Sequence, residues 1–319
     1  MSQILGVVML IYLGVAIVWV MAELWFSPRL QQGGRALLWA GLTLQTGTLI
    51  GRWISSYQMA AGHTPPAVFL DQLSLVIMQA PLSNRYESLV FFSWCLPAVG
   101  LIAFRKNLQG WLGAVVAMLA CLLLAYASFG ADANIQPLMP ALKSNWLLIH
   151  VMTAFLGYAA FAVAFGAALL YLVKDKRPQA QLPAPPLLDR LMYRAIMLGF
   201  LLLTFGILTG AVWAETAWGK YWSWDPKETW SLITWLIYAA MLHARHLKGW
   251  QGRRIAWLAL LGFLAVIFTY LGVNYLPSLT PTRTDLKVTL AADKIRGDQR
   301  VAPINWRRRP LPSGKGPVP

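Results

Sequence analysis

The sequence predicts an all-α fold, a polytopic membrane bundle of about eight transmembrane helices with both termini on the outer side. Three observations carry this. Of 319 residues, 58% are hydrophobic and 12% charged, with mean hydropathy +0.54, where a soluble domain carries roughly a quarter charged residues. The charges cluster, leaving several apolar runs of about twenty residues, the length that crosses a bilayer. The basic residues also favour alternate loops, the asymmetry that sets membrane topology.

Spans are expected at 3–26, 36–54, 86–104, 111–130, 146–173, 191–214, 229–247 and 255–277. The first run, Ile4 to Phe26, is too long for a signal h-region and lacks a basic n-region, so it reads as a retained helix. Loops after spans one, three, five and seven, with the adjoining span ends, hold thirteen Lys/Arg, from Arg29 to Arg254, while the other three with theirs hold five. Positive-inside bias puts the first set in the cytoplasm and both termini outside. The net charge of +15 then answers to topology and membrane lipid, with no nucleic-acid partner.

Between and after the spans, RPQAQLPAPPLLDR (177–190) reads as an extended linker. Residues 1–277 form the transmembrane domain, and the polar, basic segment 278–319 a flexible outer tail. Cys95 and Cys121 fall in separate apolar runs, and no CxxC or CxxCH occurs. That excludes a thiol oxidoreductase and a c-type cytochrome, and leaves two small packing residues.

WGKYWSWDPKETWSLITW (218–235) holds five tryptophans and a tyrosine in eighteen positions. Asp225-Pro226-Lys227-Glu228 has the features of a helix start: Asp as N-cap, Pro at the first position, Glu closing a capping box. Trp218, Trp222 and Trp224 would precede that helix, and Trp230 and Trp235 ride on it. An interfacial aromatic belt is the ordinary explanation. Belt tryptophans, however, are spread over many helix ends, so this density also fits a platform for a flat apolar ligand. Lys220, Lys227, Arg52 and Arg85 are weaker candidates for its carboxylates.

Only four histidines occur, His63, His150, His243 and His246, and histidine in a span is a functional candidate by default. His150 opens the fifth span level with the Trp-rich loop. His243 follows Trp230 by thirteen residues, ~20 Å deeper at 1.5 Å per residue. Both could instead satisfy helix–helix hydrogen bonds, and His246 reads as an ordinary interface residue. An iron porphyrin meets the tryptophans, cations and imidazoles together.

WGKYWSWDPKETW, a following span ending LHAR and a last span ending YLGVNYL resemble the CcsA (ResC) family, haem-handling WWD-domain subunits of the system II cytochrome c synthase. PLSNRYESLVFFSW (81–94) and NWLLIHVMTAFLGYAAF (145–161) match as well, and the likeness covers most of 45–277. The resemblance implies a protein of the bacterial inner membrane that takes haem b (iron protoporphyrin IX) from the cytoplasmic side. It would present the haem at a periplasmic WWD loop, 215–230, for attachment to the CxxCH cysteines of an apocytochrome c. A CcsB (ResB)-like membrane protein would be its partner.

Carried over by residue, His243 matches the inner, transmembrane haem histidine. His150 matches the first of two outer iron ligands, and Trp218, Trp222, Trp224, Asp225, Pro226 and Trp230 match the WWD motif. Thiolates add to the haem vinyls, so positioning supplies most of the rate and no catalytic acid or base is implied. Two departures stand out. No histidine follows the GVN segment, which leaves the second outer ligand to His63, to a partner or to no residue. An insertion also lengthens the loop at 62–84. These departures leave open a HemX-like haem-binding regulator or exporter without ligation activity.

Overall fold

The computed structural model describes residues 2–25, 27–63, 69–108, 110–135, 142–180 and 182–275. Among them are nine α-helices: α1 Ser2–Leu24, α2 Pro28–His63, α3 Phe69–Met78, α4 Arg85–Ala103, α5 Gly110–Gly130, α6 Asn145–Lys176, α7 Pro185–Trp218, α8 Pro226–Lys248 and α9 Arg253–Tyr270. A short 3-10 turn, Gly272–Tyr275, follows. The tail expected at 278–319 lies outside the described residues.

Six helices, α1, α4, α5, α6, α7 and α9, are long and apolar enough to cross a membrane. The other two expected spans, α2 and α8, are long enough but more polar. In α2 the polar residues turn inward: Gln45, Thr48, Arg52 and Ser56 are buried. Gln45 binds Tyr12 Oη on α1 at 2.6 Å, and Ser93 Oγ and the Val90 carbonyl on α4 at 2.7 and 3.0 Å. Inside an apolar bundle such groups need these partners.

The helices run up and down. Gln31 and Gln45 of α2 pair with Trp19 and Tyr12 of α1, so those two are antiparallel. The most extensive packing joins α6 and α7, where small residues let the backbones close in. A Cβ on Gly157 would lie 3.1 Å from the Gly199 carbonyl, and one on Gly206 3.3 Å from the backbone of Ala154. α6 sits centrally, touching α4, α5, α7 and α9, while α8 bridges α7 and α9. Cys95 and Cys121 are buried free thiols, as expected.

Four boundaries differ from the sequence reading. α2 extends eight residues before and nine after the expected span, because Gly33-Gly34 does not break it: buried Gly34 packs on the Trp19 indole. The 62–84 loop contains α3, which Trp53 Nε1 ties to α2 through the Val76 carbonyl at 2.6 Å. The Pro-rich stretch is not linker throughout, since Pro185 and Pro186 open α7 from the two positions where a missing N–H costs nothing. Finally, α7 runs on to include Trp218 before Gly219 ends it in the left-handed conformation, φ 72.

Candidate functional site

The segment between α7 and α8 is built around Glu228. Asp225 Oδ1 accepts the Lys227 N–H at 2.8 Å, and a capping box pairs the Asp225 side chain with the Glu228 N–H and Glu228 Oε2 with the Asp225 N–H, the latter at 3.3 Å. Glu228 Oε2 also accepts the Ser223 N–H at 2.7 Å. Between these anchors Trp224 takes φ 59, the one non-glycine residue with positive φ among the described residues. That conformation costs an L-residue ~1–2 kcal/mol, and such strain gathers where neighbouring contacts over-determine it. Trp218 and Trp224 are 66% and 60% exposed, while Trp222 is half-buried and edge-on to Trp224, 5.8 Å away at 85°. The Trp222 Nε1–H is buried without a hydrogen-bond partner among the described residues.

His150 stands one and a half turns into α6, half-buried against α7. Its Nδ1 lies 2.6 Å from the Gly206 carbonyl. A carbonyl only accepts, so Nδ1 carries the proton and Nε2 keeps its lone pair. Nε2 has no hydrogen-bonding partner among the described residues. The imidazole is parallel to Trp213, 6.4 Å away at 11°, and Trp213 meets Trp218 edge-on at 6.3 Å. His150 is thus joined through two rings to the Trp-rich segment.

Trp230 packs on Phe268 of α9 at 4.3 Å. Together with Ile237, Leu264, Leu271 and Gly272 they line an open apolar groove of about 570 Å³, within the size range of small-molecule sites. A second recess, of about 450 Å³, is lined by Glu23, Gln31 and Arg35 and by none of the candidate histidines or tryptophans.

His243 lies exposed on α8, in one stripe with Leu236, Ala240 and Leu247. One turn further, His246 Nε2 is 3.1 Å from Tyr193 Oη on α7. Arg245 binds Asp189 through both carboxylate oxygens at 3.0 and 2.6 Å. Tyr193 therefore marks one level along α7 and Gly206, beside His150, another. Their thirteen-residue separation, about 20 Å at 1.5 Å per residue, less the turn between His243 and His246, puts His150 and His243 about 15 Å apart along the bundle.

His63 closes α2, but its side chain and the segment 64–68 lie outside the described residues. Two expected cations are committed elsewhere. Arg52 is not a surface cation: its Nε is 2.8 Å from Glu87 Oε1, with the two side chains 5% and 3% exposed, and its Nη1 donates to the Ala133 carbonyl at 2.8 Å. Arg85 bonds to the Tyr126 hydroxyl and lies over its ring. Lys220 and Lys227 are exposed beside the tryptophans.

The sequence reading passed over Trp213, Gly206 and Gly210. Trp213 carried a signal, one more tryptophan five residues before Trp218. The glycines carried none, because the histidine beside them is 56 residues from Gly206 and 60 from Gly210 in the chain.

The family described as Cytochrome C assembly protein matches residues 82–280. The chain is 46% identical over 204 residues to Cytochrome c biogenesis protein CcsA of Chlamydomonas reinhardtii, covering 61% of this chain and 58% of that protein. It is 41% identical over 275 residues to CcsA of Synechococcus elongatus, covering 70% and 85%. Among solved structures, Cytochrome c Heme Lyase CcmF has the same fold, with TM-score 0.61 at 20% identity over 95% of this chain and 51% of CcmF. The chain thus spans little more than half the length of the algal relative and of CcmF.

Proposed function

The chain belongs to the Cytochrome C assembly protein family, and from that premise we propose that it handles haem in cytochrome c biogenesis. It collects iron protoporphyrin IX on the cytoplasmic side of the bacterial inner membrane, at the end that bears His243 and the basic loops. It presents the porphyrin at the periplasmic, Trp-rich end for attachment to the CxxCH cysteines of an apocytochrome c, as a subunit of a holocytochrome c synthase with a CcsB-like membrane partner.

The observation that carries this reading is the state of His150. Its Nδ1–H is held by the Gly206 carbonyl, leaving an unpartnered Nε2, the arrangement that prepares an imidazole for a metal. The surroundings fit the rest of a porphyrin. Exposed faces of Trp218 and Trp224 suit the macrocycle, Lys220 and Lys227 suit its carboxylates, and the unpartnered Trp222 N–H suits a further acceptor. Asp225 and Pro226 serve the same surface indirectly by fixing the start of α8. The haem brings its iron and vinyl groups; this chain's residues bind, orient and shield it.

The test is purification in detergent with its membrane neighbours, followed by haem spectroscopy. A Soret band lost in His150→Ala and in His243→Ala supports the reading, and wild-type haem content in both variants refutes it. One observation favours a second reading: no histidine follows Gly272-Val273-Asn274. The protein would then bind or export haem, in the manner of HemX-like regulators, without completing ligation. Co-expression with a CcsB-like partner and a CxxCH reporter separates the two, since only the first yields covalent haem. Loss of a low-spin signal on His63→Ala would identify His63 as the second outer ligand.

A further inference from the structure

We infer that Gly210 is a positioning residue for His150, its missing Cβ giving the imidazole the seat on α7 from which Nδ1 reaches the Gly206 carbonyl. Glycine is a poor helix former, so its place inside the 34-residue α7 asks for a reason. A Cβ at 210 would lie 2.6 Å from His150 Nδ1, 2.8 Å from Cε1 and 3.3 Å from Cγ. Those are ring atoms, which cannot bend away independently. The whole imidazole would have to swing out, and with it would go the 2.6 Å bond to Gly206.

The neighbouring glycine has a different job. A Cβ on Gly206 would meet Ala154 first, its backbone at 3.3 Å, so Gly206 sets the approach of α6 and α7 and offers its carbonyl. Trp213, parallel to the ring at 6.4 Å, lies beyond it on the same helix. Gly206, Gly210 and Trp213 thus form a seat whose floor is Gly210. The seat decides which nitrogen of His150 is protonated, and hence which nitrogen is left for a ligand. Its functional consequence rests on His150 as an iron ligand, but the seat itself does not.

The experiment uses the full-length protein labelled with 15N-histidine in detergent, before and after haem loading. Four histidines give four sets of ring signals, and His150→Ala assigns one of them. In the wild type that residue should carry its proton on Nδ1. In Gly210→Ala it should lose the Nδ1–H signal, and haem content should fall to the level of His150→Ala, with added imidazole restoring it in both. Gly47→Ala, on α2 and with nothing within 4 Å of the added Cβ, should leave the tautomer unchanged.

If Gly210→Ala fails to fold, the double variant His150→Ala/Gly210→Ala should recover the yield of His150→Ala, because the collision has been removed. An unaltered Nδ1–H signal in Gly210→Ala, or a double variant as poorly folded as the single one, would overturn the proposal. A tautomer change in Gly210→Ala together with haem content indifferent to His150 would uphold the seat and sink the haem reading, so the two can fail separately.

Discussion

Replacing Glu228 by alanine should loosen the Trp-rich segment while leaving the bundle folded. Glu228 accepts a short bond from the Ser223 N–H at 2.7 Å and the second half of the capping box from Asp225 at 3.3 Å. The first is charge-assisted but solvent-facing, which puts it near ~1.5 kcal/mol. The second is long and contributes ~0.5 kcal/mol, the low end for a cap. Their sum, about 2 kcal/mol, is comparable to the cost of the left-handed Trp224. At tenfold per ~1.4 kcal/mol, the ordered segment should become roughly 30-fold less populated relative to open forms. Amide hydrogen exchange in detergent reads this directly: the Ser223 and Asp225 amides should exchange roughly 30-fold faster, with α6 and α9 unchanged. Glu228→Gln keeps an acceptor at the same place and should fall between. Wild-type exchange at both amides in Glu228→Ala would mean that the strained turn is held by something other than this carboxylate.

Glu87→Ala should leave the Arg52 charge buried and unpaired, at a cost of about 3–5 kcal/mol, while the pair replacement Arg52→Met/Glu87→Leu recovers most of it. Thermal unfolding in detergent, which should show a drop of about 10 °C for the single variant, checks both. His243→Ala removes an exposed ring with no partner among the described residues, so the melting temperature should stay within a degree or two while co-purified haem falls. Trp222→Phe removes an unpartnered buried N–H and should not destabilise the haem-free protein. Weaker haem retention in that variant, measured by transfer to a haem scavenger, would assign the N–H to the cargo, and unchanged retention would exclude it.

Much of this protein is written locally. The helices announce themselves through apolar runs, and the start of α8 through Asp225, Pro226 and Glu228, because capping bonds join residues two or three apart. Of the five tryptophans that stand out in sequence, Trp218 and Trp224 are the exposed ones. Helix lengths were less legible. α2 continues through Gly33-Gly34 because Trp19 packs there, and α7 begins early enough for Asp189 to meet Arg245 and the Gly252 N–H. No neighbouring residue encodes either contact.

The sequence by itself determined that this chain is a helical membrane bundle, and that five of its tryptophans crowd into residues 218–235. Composition and the length of apolar runs act on each helix separately. Only the tertiary structure decided what each polar side chain does. Arg52 reads as one more cation near a membrane surface until α2 meets α4 and buries it against Glu87, 35 residues away. His150 reads as a lone imidazole until α6 closes on α7, where a carbonyl 56 residues distant takes one ring proton and leaves the other nitrogen bare. Protonation and pairing depend on which groups are brought within about 3 Å, and helix packing, which no local pattern specifies, chooses them.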